Sequence, residues 1–192
     1  MRQNLRFLLM LLIAIAYGGA MFGQEVTLDF STNSWGLPTK TAEKAAKSYT
    51  NGTYTISFGA SNTGHKFTST YLIMGKTDAT LTLPAFDFNV EKIKVIGNDN
   101  GSTSVVQNIY VGDVAVSDPT TGCADKNTKK AVTNTYLIND QYQTAGNLYT
   151  LKITSSHNTQ ITKILIYKKE AIATTLSFGT DFDKKTIKKN IG

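Results

Sequence analysis

Cysteine occurs once in this 192-residue chain, at Cys123, and histidine only twice, at His65 and His157. A lone cysteine closes no internal disulfide, so a domain in an oxidising compartment must be held together by packing. A nucleophilic cysteine would need a neighbouring base to generate thiolate. The surrounding Thr121-Gly-Cys-Ala-Asp125 reads instead as a turn, with Cys123 a small residue at a loop or strand edge. Neither histidine stands at i, i+2 or i, i+4 from another ligand-type side chain, which excludes a zinc site of the usual spacing. Both lie beside turn residues and read as solvated loop histidines. Amphipathic helices are missing too. Only Thr41-Ala-Glu-Lys-Ala-Ala-Lys47 is built from strong helix formers. It carries no apolar stripe, so at most two turns of surface helix are expected within a long loop.

The one long apolar run is at the start. Arg2 and Arg6 precede Phe7-Leu-Leu-Met-Leu-Leu-Ile-Ala-Ile-Ala16, which breaks into Gly18-Gly19-Ala20. A basic segment, a short apolar core and small residues make a secretory signal peptide, and the run is shorter than the roughly 20 residues of a membrane helix. Residues 1–23 are therefore read as a signal helix, cleaved after Ala20 or Gly23. No cysteine follows to take a lipid anchor. The mature chain is expected to be secreted or at the cell surface, with no membrane span after cleavage.

The formal charge is +6, of which Arg2 and Arg6 supply two. Apart from Lys184, Lys185, Lys188 and Lys189, the lysines are scattered rather than gathered with aromatics, as a nucleic-acid binder would have them. No nucleic-acid partner is expected, and the basicity reads mainly as a solubility device.

Beyond the leader the dominant period is two, the mark of strands with one buried and one wet face. Val26, Leu28 and Phe30 alternate with Thr27 and Asp29, and Tyr54, Ile56 and Phe58 with Thr53, Thr55 and Ser57. Leu81 and Leu83, then Tyr149, Leu151 and Ile153, do the same. Further strands are expected at Tyr71–Met74, Lys92–Ile96, Val105–Val111, Thr135–Ile138 and Ile161–Tyr167. The last is apolar on both faces and is placed centrally. Asn51-Gly52, Asn100-Gly101, Gly112-Asp113, Asp118-Pro119 and Gly146-Asn147 supply turns. Many short strands separated by turns predict an all-β fold, a sandwich of two antiparallel sheets.

Catalytic and metal motifs fail on inspection. Gly59-Ala-Ser-Asn-Thr-Gly64 is followed by His65 and Lys66, whereas a phosphate loop needs lysine directly after its second glycine. The same stretch has Thr63 where a nucleophile elbow needs glycine. Gly97-Asn-Asp-Asn-Gly101 lacks the first and last carboxylates of a calcium loop and reads as a hairpin turn. No pair of carboxylates among Asp29, Asp87, Asp99 and Asp113 is singled out for glycoside hydrolysis. No catalytic residue and no cofactor is expected. A structural calcium ion held on backbone carbonyls would leave no sequence signature, and nothing supports one. Aromatic rings at loops and strand ends are the remaining chemistry, since a flat ring stacks on the apolar face of a sugar. Trp35, Tyr71, Tyr110 and Tyr142 are the candidate ligand-binding residues, with Tyr49 and Tyr136 behind them.

Val26-Thr-Leu-Asp-Phe-Ser-Thr-Asn-Ser-Trp-Gly-Leu-Pro38, Tyr54-Thr-Ile-Ser-Phe58, Tyr71-Leu-Ile-Met-Gly-Lys76, Leu81-Thr-Leu-Pro-Ala-Phe-Asp-Phe88, Gln107-Asn-Ile-Tyr-Val-Gly112 and Gln160-Ile-Thr-Lys-Ile-Leu-Ile-Tyr167 together resemble a jelly-roll module of secreted and surface multidomain proteins of Bacteroidetes. That module has no assigned function, so no catalytic residue is carried over. Thr174-Thr-Leu-Ser-Phe-Gly179 looks like the opening strand of a bacterial immunoglobulin-like repeat. The expected organisation is a signal peptide at 1–23, a jelly-roll-like β-sandwich at 24–169, and a linker with the incomplete opening of a second β domain at 170–192. The expected function is non-catalytic binding of a glycan or a surface protein by a monomer. A structural spacer or adhesin stalk is the alternative.

Overall fold

The computed structural model describes residue 23 and residues 25–170; the signal helix and the strand expected at 174–178 lie outside the described residues. In chain order the strands are β1 (Glu25–Asp29), β2 (Lys47–Asn51), β3 (Tyr54–Phe58), β4 (His65–Thr68), β5 (Tyr71–Met74), β6 (Thr80–Thr82), β7 (Val90–Gly97), β8 (Val106–Val111), β9 (Val114–Ala115), β10 (Thr120–Thr121), β11 (Thr133–Leu137), β12 (Tyr149–Ile153) and β13 (Thr159–Lys168). A single 3-10 turn, Asp140–Tyr142, is the only helical element among the described residues.

Two sheets result, and every strand pair in them is antiparallel. The six-stranded sheet runs β11-β7-β13-β5-β4, with β1 also paired to β13; the seven-stranded sheet runs β10-β8-β12-β6-β3-β2, with β9 paired to β8. The alternation read in the sequence decides which side chains go inside. Ile56, Leu81, Ile109 and Leu151 of the seven-stranded sheet share one buried cluster with Leu28, Leu72, Ile93, Ile164 and Ile166 of the six-stranded sheet. Each such side chain, fully withdrawn from water, contributes about 1.5–3 kcal/mol. The chain is an all-β sandwich of two antiparallel sheets.

The strand β13 is central as its two apolar faces imply, flanked by β7 on one side and by β1 and β5 end to end on the other. Its register slips between Ile161 and Lys163, so Thr162 forms a bulge. The bulged hydroxyl donates to the Ile96 carbonyl at 3.1 Å. Gly52, at φ 61°, and Gly112, at φ 58°, make the two-residue hairpin turns β2–β3 and β8–β9, where a positive φ suits glycine.

Three local expectations are corrected. Residues 41–47 form no helix. Glu43 instead exchanges backbone hydrogen bonds with His65, both at 2.9 Å, and Lys47 opens β2. Helix propensity without an apolar stripe loses to an available strand partner. Residues 97–101 do not close a hairpin, because β7 and β8 belong to different sheets. The segment carries the chain across the sandwich, with the Asn100 N–H bound to Asn98 Oδ1 at 2.9 Å. His65 lies not in a solvated loop but on β4, 2% exposed.

Candidate functional site

The aromatic side chains singled out in the sequence do not converge. Trp35 is in a loop, but its ring points inward, 4% exposed. The Asn33 side chain turns the loop by donating to the Leu37 carbonyl (2.9 Å) and accepting from its N–H (2.8 Å). The indole then stacks on Phe30, ring centres 5.7 Å apart, and donates Nε1–H to the Asp29 carbonyl at 2.9 Å. Both its faces and its one polar group are used by the fold, so the loop position that made Trp35 a stacking candidate is overridden by packing. Tyr49 and Tyr136 are buried as well. Burial pushes the Tyr136 phenol up to about 12, against the hydrogen bond it shares with Thr120.

Tyr142 sits half-buried in the 3-10 turn, packed on the core, and its carbonyl accepts from Tyr149 Oη at 2.6 Å and Asn147 Nδ2 at 2.8 Å. Tyr71 and Tyr110 are half-buried on the outer faces of opposite sheets. Two of the four candidates therefore reach a sheet surface, and not the same one.

On the seven-stranded sheet the outward row through Tyr110 reads Tyr110, Thr150, Thr82, Ser57, Ser48 across β8, β12, β6, β3 and β2. Its hydroxyls bond one another: Thr82 to Thr150 at 3.0 Å and Ser48 to Ser57 at 2.8 Å, with Thr50 to Thr55 at 2.9 Å alongside. Lys152 lies 5.8 Å from the Tyr110 ring centre and pairs with Asp78 at 3.2 Å. This face is polar and satisfied by its own groups.

The six-stranded sheet presents a different outer face, one missed at the level of sequence. Its first row is Glu25, Tyr167, Lys92 and Leu137 across β1, β13, β7 and β11; the next are Thr27, Leu165, Lys94, Thr135 and then Asp29, Lys163, Ile96, Thr133. The Lys92 and Lys94 ammonium groups lie 4.8 and 5.0 Å from the Tyr167 ring centre, within cation–π range. Leu137 is 65% exposed. Lys163 pairs with Asp29 at 3.4 Å. Burial pulls the Asp29 carboxyl upward, but hydrogen bonds from Ser31 together with Lys163 outweigh it and hold the group below its ordinary value.

The face ends at the Thr162 bulge in a hollow of about 480 Å³, lined among others by Thr70, Ile96, Asn98, Asp99, Lys129 and Lys130. A second hollow, of about 370 Å³, lies among Lys44, Ser61, Asn62, Thr77 and Asp78. Neither is lined by an aromatic ring.

Comparison with known proteins adds little to this geometry. No protein-family model matches the chain, and no curated protein sequence does. Among solved structures, a low-affinity xylan-binding module, CBM86, from the gut symbiont Roseburia intestinalis is similar at 11% identity, with a TM-score of 0.37, over 77% of this chain and 97% of that one. A likeness that loose carries nothing over to the site.

The remaining reactive groups are held by the fold. Cys123 is 1% exposed; burial pushes its thiol up, although Thr159 and the Gln160 N–H, at 3.3 and 3.2 Å from Sγ, oppose this. A thiol held protonated is a poor nucleophile. The His65 ring lies flat on Phe58 at 3.8 Å and shares a hydrogen bond with Tyr49 Oη at 3.0 Å. Burial pushes the imidazole down to about 4, the Glu43 carboxylate opposing and Lys47 assisting. Among the described residues, no three His, Cys, Asp or Glu side chains come together to hold a metal ion, and no helix is long and apolar enough to cross a membrane.

Proposed function

We propose that the protein is an exported, non-catalytic binding module that acts as a monomer and holds a carbohydrate on the outer face of its six-stranded sheet. One observation carries this reading. Tyr167, Leu165, Ile96 and Leu137 place an aromatic ring and aliphatic side chains on a face that no further layer of the described residues covers. Sheet faces are ordinarily apolar inside and polar outside, and an outward apolar row at a central strand is surface kept for contact. A tyrosine ring offers a sugar a flat apolar partner with a polar rim.

Affinity electrophoresis and calorimetry against a panel of soluble plant, host and microbial polysaccharides test this, with Tyr167→Ala as the variant and Tyr167→Phe as the control. Binding that weakens about tenfold in the first and is kept in the second supports the face. An intact fold that binds no polysaccharide rejects it.

The second reading, a spacer or adhesin stalk without a ligand, is favoured by the paired hydroxyls of the seven-stranded face, which leave few groups seeking a partner. A spacer would be indifferent to both Tyr167 variants.

A further inference from the structure

We infer that the glycan taken by this face is anionic, a polyuronate whose carboxylates are met by lysines along β7 and β13; this rests on the carbohydrate reading above. Lys92, Lys94 and Lys163 occupy three successive rows of one face, and Lys129 and Lys130 rim the hollow at its end. Lys66 stands on β4 of the same sheet. Glu91 reaches Lys92 only at 3.9 Å, and Asp29 serves Lys163. Lys66, Lys94, Lys129 and Lys130 form no ion pair among the described residues. On the opposite face Lys152 is the one outward lysine among the described strand residues, and it pairs with Asp78. The six-stranded face therefore carries more outward lysines than the opposite one; Glu25 and Asp29 of β1 stand in its rows and Asp99 in the hollow, yet two ammonium groups still share one tyrosine ring. A neutral polymer laid there would leave that repulsion in place. An anionic one relieves it.

The layout also fits a chain of uronic acid units. Successive outward residues on a strand repeat at about 6.6 Å, so Tyr167 to the Thr162 bulge spans about 16 Å. Over that length lysines alternate with Tyr167, Leu165 and Ile96, a pairing that suits rings with an apolar face and a carboxylate at the edge. A nucleic acid fits less well. The sequence contains no arginine after Arg6, so the fork that grips phosphates and guanine edges is missing. Nor do several rings line up as a stacking platform for bases.

The test is calorimetry on the full exported chain with polygalacturonate, its fully methyl-esterified form and single-stranded DNA, in buffer free of divalent cations. Polygalacturonate should bind, and esterification should weaken it by about tenfold or more, since the backbone is kept and the charge removed. Raising salt from about 50 to about 500 mM should weaken it similarly. The double variant Lys92→Gln, Lys94→Gln should lose about tenfold, while Lys152→Gln on the other face changes nothing; unaltered circular dichroism excludes misfolding. Equal binding of both polymer forms overturns the anionic assignment and leaves the carbohydrate reading standing. Binding of no polysaccharide overturns both. DNA bound as tightly as polygalacturonate also overturns the assignment, because charge alone would then account for it.

Discussion

The two outer faces of the sandwich rest on one shared core and have opposite surface chemistry. On the seven-stranded sheet, Ser48–Ser57, Thr82–Thr150 and Thr50–Thr55 pair across strands, and the outward Lys152 has Asp78 as its partner. On the six-stranded sheet the outward positions include Tyr167, Leu165, Ile96, Leu137 and four lysines, of which Lys66 and Lys94 form no ion pair among the described residues. Inward residues are dictated by packing and look alike in both sheets. Outward residues are free of that demand, so a departure from self-satisfied polarity on one face marks the face with work to do.

The largest expected effect tests whether the working face has been separated from the core. Trp35→Ala removes a ring stacked on Phe30 and the donor to the Asp29 carbonyl, and it should lower stability by about 3–5 kcal/mol in urea unfolding. The folded fraction should bind glycan like the parent. A selective loss of binding with stability intact would return Trp35 to the site and move the contact to the loops.

The next effect concerns acid, and it should arise on the six-stranded side. His65 is neutral in its buried position, pushed down to about 4, whereas in the unfolded chain it takes a proton near 6.5. Between those values the unfolded state holds the extra proton. Stability is therefore full above pH 6.5 and falls toward pH 4, by about 3 kcal/mol. His65→Phe should flatten that slope in pH-dependent urea melts, whatever it does to absolute stability. A slope unchanged in the variant would assign the acid sensitivity to other groups.

Tyr167→Ala should cost about 1–1.5 kcal/mol of glycan binding, roughly tenfold in Kd, and less than that in stability, as calorimetry and urea melts would report. If the two losses are equal, the ring is acting as packing.

The sandwich was legible because strand alternation is a local pattern: Tyr54, Ile56, Phe58 and Tyr149, Leu151, Ile153 each announce a buried face by themselves. The strands β2 and β4 were not. β2 buries only Tyr49, and β4 has four residues beginning at a histidine placed inside by its stack on Phe58 and its hydrogen bond with Tyr49. Site residues were harder to read, because loop position does not reveal direction. Trp35 turns inward through Asn33, a contact visible only in three dimensions. The basic face joins Lys92 and Lys94 to Tyr167, more than seventy positions away, through strand register. Its one available signal was the double-sided apolar character of β13, which reads equally as burial on both faces.

The smallest effect is the sharpest control on the contrast between faces. Thr82 and Thr150 share a hydrogen bond at 3.0 Å on a half-exposed surface. Water replaces such a bond when one hydroxyl is removed, so its net contribution is small. Valine keeps the branched shape and has high strand propensity. Thr82→Val, Thr150→Val and the double variant should each lie within about 0.5 kcal/mol of the parent, with a coupling of that order in the double-mutant cycle. Glycan affinity should not move, because hydroxyls that satisfy each other have little left to offer a ligand. A loss of binding in either single variant, with unfolding unchanged, would mean that the row through Tyr110 is read from outside, and the seven-stranded sheet would then be the working face.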